Sequence, residues 1–413
     1  MYARRVACAA VVAALSWTPA PAWAQEADRV QALQRQIEDL QKDFADKLAA
    51  LQAEVAALKA SQAAAEAAAA AVPVAPPAGA GLTTGKVFNP DVAVIGSFLG
   101  AAGRNPVDPA PALEMAESEV SLQAVIDPYA RGDFFLSFGH QGVDLEEGFI
   151  TFTELPGKLL VKAGKMRTAF GKVDGMHSHA LPWVDRPLVT TNLLGGEEGL
   201  SDAGVSMARL IPAGTLFLEA TGQVFRGEAG DGVFQTAERS DLSYLGHLRA
   251  YHDLSESTNI DLGASVSRGH NGAGLVDGSD LGRFTTRLYG TDVTLRWRPL
   301  QRAIYRQFIG RSEVVWSRRE QFGGAQHAMG FYVSGDYQLA RRWFAGARFD
   351  RSGRADAGDV VDRGGSVLLT YRPSEFSQVR GQYRRIHFGD AGNGNELLFQ
   401  AQFSIGAHGA HAF

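Results

Sequence analysis

Sixteen stretches between Phe88 and the C-terminus alternate apolar and polar residues with a period of two, and no helical period persists anywhere in that region. They fall at approximately 88–100, 116–126, 129–139, 146–154, 158–166, 202–211, 214–226, 240–253, 258–269, 284–298, 304–318, 327–339, 342–351, 364–372, 376–388 and 395–407. In residues 286–298, Tyr289, Thr291, Val293, Leu295 and Trp297 share one face of an extended chain. Gly290, Asp292, Thr294, Arg296 and Arg298 share the other. Two such faces need two different surroundings.

The connections are sorted in the same way. After every second run the link is tight: "DPY", "LPGK", "IPAG", "LSES", "PLQR", "LARR" and "PSEF". The intervening links are mostly long and glycine-rich, among them "GAAGRNPVDPAPALE", "RGEAGDGVFQTAERSD", "SRREQFGGAQ" and "GDAGNGN". Short turns at one end and long loops at the other are the pattern of an outer-membrane barrel. The polar faces carry too many charges for the dry core of a sandwich, whereas a lipid-facing exterior and a wet lumen suit both faces at once. The expected fold class is therefore an all-β transmembrane barrel of about sixteen antiparallel strands, residues 88–413. Tyr129, Trp297, Tyr305, Trp343, Tyr371 and Phe376 gather by the short turns as one interfacial girdle. The terminal Phe413 after an amphipathic strand is similar to the assembly signal of such barrels.

The N-terminus supplies an address. Arg4 and Arg5, the apolar run Val6–Leu15 and Ala22-Trp23-Ala24 read as a signal peptide over residues 1–24, which implies export to a Gram-negative envelope. The single cysteine, Cys8, falls inside it, so the mature chain would have no thiol chemistry. Beyond the signal no apolar run is long enough for a membrane helix. Residues 26–71 form an expected periplasmic α-helical coiled coil: Val30, Leu33, Ile37, Leu40 and Phe44 recur at spacings of three and four, and Leu48, Leu51, Val55 and Leu58 resume after a stutter. An amphipathic helix packed on its own domain is the alternative. Residues 72–87, opening on "VPVAPPAGAG", read as a spacer. The net charge of −5 argues against a nucleic-acid partner.

Sixteen strands enclose an aqueous channel rather than a side-chain-filled interior. The exceptional link is 167–201, whose Leu181, Pro182, Trp183, Val184, Leu188, Val189, Leu193 and Leu194 would be costly to expose. It is expected to fold back against the inner wall. From that loop and the polar faces, the candidate pore-lining residues are Arg131, Asp133, Lys162, Arg167, Lys172, Asp174, Asp185, Arg186, Arg249, Asp292, Arg296, Arg298, Arg311, Glu313, Asp336, Arg348, Arg380 and Arg384. Opposed charges across a constriction sort solutes by polarity. The plainer reading is that they pair across neighbouring strands and hold the wall together.

Three segments carry a family likeness: "GKMRTAFG" leading out of a strand, "VDRPLV" within the loop and "SDAGVSMARL" opening the next strand. In these the chain resembles the phosphate-selective porin O/P-like group of bacterial outer-membrane porins. The resemblance implies a third loop that narrows the lumen, and homotrimers, which would suit a three-stranded coil. For the lysine-lined path of that group, this region offers only Lys86, Lys158, Lys162, Lys165 and Lys172.

His177 and His179 in "MHSH", and His408 with His411, are the candidate ligands for zinc; otherwise they serve loop hydrogen bonding. No G-x-S-x-G elbow, H-E-x-x-H helix or Walker loop is present, so no enzyme is expected and no resident cofactor. The expected function is passive diffusion of small hydrophilic solutes or ions, with an anion preference as the finer possibility. The alternatives are a metal-related uptake protein and a barrel-anchored coil that tethers the membrane to the cell wall.

Overall fold

The computed structural model describes residue 42, residues 90–139, 142–276 and 279–406. The signal peptide, coiled coil, linker, His408, His411 and Phe413 fall, residue 42 aside, outside the described residues. Among these, sixteen strands form one closed antiparallel barrel. They are β1 Asp91–Arg104, β2 Leu113–Asp127, β3 Ala130–Gly139, β4 Gly142–Leu155, β5 Leu159–Arg167, β6 Ser201–Ala213, β7 Leu216–Phe225 and β8 Ser243–Ser255. The second half comprises β9 Thr258–His270, β10 Thr285–Trp297, β11 Phe308–Gln321, β12 Gly324–Ala340, β13 Trp343–Gly353, β14 Val361–Ser374, β15 Ser377–Phe388 and β16 Gly392–Gly406. Each strand pairs with its chain neighbours, and β1 closes the ring on β16, with Val94 opposite Ile405 and Ala101 opposite Leu398. Closure leaves no unpaired edge.

The two faces separate as the alternation requires. In β10, Thr286, Leu288, Gly290, Asp292 and Thr294 are buried while Tyr289 and Thr291 are exposed. Around the ring Val205, Met207, Phe217, Leu248, Val266, Val333, Phe349, Val367, Leu369 and Phe399 are exposed on the outside. Asp133, Asp261, Glu313, Arg348, Asp350 and Arg380 are buried on the inside. An apolar exterior around a charged interior inverts a soluble protein and matches a transmembrane barrel. At the tight-turn end Trp343 and Tyr371 stand side by side, ring centroids 4.7 Å apart, with Tyr129, Tyr305 and Phe376 exposed nearby.

Three links depart from the sequence reading. "SRREQFGGAQ" is not a long loop: β11 continues to Gln321 and β12 starts at Gly324, with Gly323 and Gly324 at positive φ making the turn. Arg318 and Glu320, two residues apart on one face of the extended strand, pair at 3.0 Å. "GDAGNGN" likewise is mostly β16 after a turn at 389–391. Conversely "PLQR" opens a longer link, 298–307, containing a 3-10 turn at Leu300–Arg302. Arg306, within the expected run 304–318, falls in that link rather than in a strand.

Candidate functional site

The segment between β5 and β6, here the inner loop 168–200, folds into the barrel. Its backbone turns at Gly171, which has φ of 59° and no room for a Cβ because Glu313 of β11 lies against it. A 3-10 turn follows at Ser178–Ala180, then a short helix α1, Leu188–Leu193, entered from Pro187 and left through Gly195 and Gly196, both at positive φ. Phe170, Trp183, Val189, Leu193 and Leu194 are fully buried. They meet an apolar patch on the inner wall: Leu245, Leu288, Val315, Tyr332 and Leu368. Gly290 of β10 makes room for Phe170, since a Cβ there would stand 2.8 Å from its ring. Trp183 sits edge-on to Tyr332, centroids 5.2 Å apart, beneath the guanidinium of Arg348 at 4.8 Å. Burial of these apolar residues against the apolar patch of the wall drives the loop inward.

Charged groups fix where the loop stops. On β13 and β15, Arg348 binds Asp185 at 3.0 Å and Asp350 at 2.7 Å, while Arg384 binds Asp185 at 2.9 Å and Glu396 at 2.6 Å. Arg380 donates to the carbonyls of Leu181 and Trp183 at 3.1 and 2.9 Å. Gln382 accepts from the Val184 amide at 2.9 Å, and Asp350 from the Leu188 amide at 3.3 Å. Burial pushes the Asp185 carboxyl up, but Arg348 and Arg384 outweigh it and hold it at about 2.

On β2 and β4 the signs reverse. His177 Nδ1 lies 2.8 Å from Glu119 and 3.0 Å from Glu146, and its Nε2 lies 2.8 Å from Glu147. His179 Nδ1 lies 3.4 Å from Glu117 and 3.6 Å from Glu119. Arg167, at the end of β5, binds Glu146 at 3.0 Å and gives its amide to Glu147 at 2.7 Å. Burial alone would lower the His177 pKa; Glu119, Glu146 and Glu147 instead push it up to about 11. The sequence reading named both histidines and missed all four glutamates. Glu117 and Glu119 share a face by simple alternation, which was a usable signal. Glu146 and Glu147 are adjacent and both reach His177 because a bulge in β4 shifts the register between Leu145 and Glu147, which no alternation reveals.

A third, mixed sector lies on β8 to β11. Lys172 binds Asp261 at 3.4 Å, and Asp261 also takes Arg249 at 2.6 Å and Arg296 at 3.7 Å. Burial pulls the Lys172 pKa down against Asp261. Glu313 accepts the amides of Lys172 and Val173, both at 3.4 Å, and Asp292 stands opposite it in the ladder. Elsewhere Arg311 pairs with Asp336 at 2.6 Å, Arg131 with Asp133 at 2.8 Å, and Lys162 lies 4.5 Å over the Phe149 ring.

Three candidates do not line the lumen. Asp174 is fully buried within the loop, accepting from Thr168 Oγ1 at 2.6 Å and the Leu200 amide at 2.8 Å. Arg186 is buried too, donating to the carbonyls of Val173 and Met176 at 3.1 and 2.7 Å. Both close the loop on itself, because a long loop needs internal partners for its own polar groups. Arg298 lies beyond the last residue of β10, exposed in the link to β11.

Two cavities have parts of the inner loop in their walls. One, of about 500 Å³ at the long-loop end, is lined by Asp144, Lys165, Glu198, Glu228 and Asp231. The other, of about 770 Å³ at the tight-turn end, is lined by Arg296, Arg311, Arg372, Arg380 and the loop's His179.

No protein-family model matches the chain. A curated relative, an uncharacterized protein of Aquifex aeolicus, is 27% identical over 329 residues, covering 72% of this chain and 69% of that one. Among solved structures, a loop-deleted OmpT, an outer membrane protein of Vibrio cholerae, superposes with a TM-score of 0.53 at 11% identity over 77% of this chain and 99% of its own. OprB of Pseudomonas putida gives 0.52 at 10% identity, covering 77% and 94%. The outer membrane channel DcaP of Acinetobacter baumannii gives 0.50 at 11% identity, covering 77% and 96%. At these identities the likeness is one of fold: the chain shares the closed barrel of these bacterial outer-membrane proteins.

Proposed function

We propose that this chain is an outer-membrane porin through which small hydrophilic solutes diffuse passively, narrowed by the inner loop 168–200. The observation that carries this reading is the loop itself, held inside a lipid-compatible barrel by charged groups of three wall sectors. The fold shared with a protein described as an outer membrane channel supports it. Four arginines in the wall of the tight-turn cavity, Arg296, Arg311, Arg372 and Arg380, outnumber its carboxylate Glu375 and favour anions over cations, although Asp336 largely neutralises Arg311 and Asp261 lies 3.7 Å from Arg296. Phosphate is one anion such a wall would accept, and the sequence resemblance names it. In this reading the chain is no enzyme: its lumenal charges are spent on positioning a loop. Homotrimers, lipid contact around the barrel and a periplasmic N-terminal coil that reaches toward the cell wall complete the proposal.

The test is planar-bilayer conductance of the purified, folded protein under a potassium chloride gradient. Discrete steps are expected, with a reversal potential displaced toward chloride. Absence of steps from a folded barrel would contradict the channel, and a cation-selective reversal potential would contradict the anion preference.

A further inference from the structure

The glutamate sector carries more negative charge than its permanent cation balances. Glu117, Glu119, Glu146 and Glu147 surround the two histidines, and Arg167 is the guanidinium that pairs with them. Glu119 is 1% exposed, and its Oε1 has no hydrogen-bond partner among the described residues. A buried carboxylate oxygen in that state is costly and calls for a cation or a donor.

We propose that His177, His179 and Glu119, with Glu117 as a fourth donor, form a binding site for a divalent transition ion of the zinc class. One ligand atom from each of the first three lies within 4.8 Å of the others. The separations are 2.8 Å from His177 to Glu119, 3.6 Å from His179 to Glu119 and 3.4 Å from His179 to Glu117. Tetrahedral zinc with bonds of about 2.0–2.1 Å sets its donors about 3.3 Å apart, so changes of a few tenths of an ångström suffice. Two imidazoles with carboxylates suit zinc, whereas calcium and magnesium favour all-oxygen shells. Arg167 supplies the outer support by holding Glu146 and Glu147 beside the site. Entry is from the tight-turn cavity, whose wall includes His179. The ion would take the place of the proton that the same carboxylates keep on His177, so zinc competes with an existing ion pair.

Zinc content of the folded, untagged full chain, measured after incubation with zinc chloride and desalting, tests the site. About one zinc per chain is expected, with Glu119→Gln and His179→Ala each weakening binding at least about 10-fold. Zinc absent from the folded chain, or retained undiminished by both variants, overturns the proposal. If a variant fails to fold, X-ray absorption on the zinc-loaded parent decides instead: a first shell with two imidazoles is expected, and one without imidazole overturns it. Neither result depends on whether the lumen conducts, so failure of the site and failure of the channel remain distinguishable.

Discussion

The inner loop is held by two sectors of opposite sign. On β13 and β15, arginines of the wall grip one aspartate and the backbone carbonyls of the loop; on β2 and β4, glutamates of the wall grip two histidines of the loop. The first sector uses groups that stay charged at any physiological pH and a bidentate fork that matches its partners. The second rests on imidazoles, of which His177 is kept protonated by its glutamates. One sector therefore uses permanent charge, and in the zinc proposal the other exchanges its proton for a metal ion.

The largest expected effect comes from breaking the fixed sector. Arg348→Ala leaves Asp185 with Arg384 alone among the described guanidinium partners, strips Asp350 of the one it has among the described residues, and takes the cation off Trp183. Removal of one partner from a buried pair costs about 3–5 kcal/mol. Protease cleavage within 168–200 should rise sharply while the barrel itself stays intact. A loop as resistant as the parent's would show that its apolar face alone holds it.

Next comes pH, where two aspartates of one loop respond in opposite directions. Asp185 is held at about 2, so its contribution is present above pH ~4 and lost as pH falls toward about 2. Burial pushes Asp174 up to about 6, against the hydrogen bonds from Thr168 and Leu200. Its contribution is complete below pH ~4 and is lost as pH rises through about 6, a change on the order of 3 kcal/mol. Loop protection measured from pH 4.5 to 7.5 should fall more steeply in the parent than in Asp174→Asn. An equal slope in both would remove Asp174 as the source.

Gly171→Ala probes the mixed sector. The positive φ and the displacement of Glu313 together should cost about 1–2 kcal/mol, read as a lower thermal midpoint for loop release. Asp144→Asn is the smallest change. Its pairing with Lys165 at 3.4 Å is largely exposed, so less than about 0.5 kcal/mol is expected.

The barrel was legible because alternation is local: all sixteen strands appear where the period-two runs placed them, with ends shifted by a few residues. The Leu and Trp content of 168–200 marks it as a segment that needs an apolar partner, and Leu245, Leu288, Val315 and Tyr332 supply one. Hairpins at 322–323 and 389–391 were not, because glycine-rich polar segments read as loops even when they are extended strand. The site was half legible. Histidines and arginines stand out one residue at a time, whereas their partners are set by register and by a bulge between Leu145 and Glu147. Asp174 and Arg186 show the converse: a charged loop residue that looked available for water is spent on the loop's own backbone and hydroxyl groups.

The central claim is that this loop sets the size of the passage. Single-channel conductance of a variant with residues 176–196 replaced by a short glycine-serine link tests it most directly, with folding checked by circular dichroism. Conductance several-fold above the parent's is expected. Conductance and selectivity equal to the parent's would contradict the placement of the constriction in this loop.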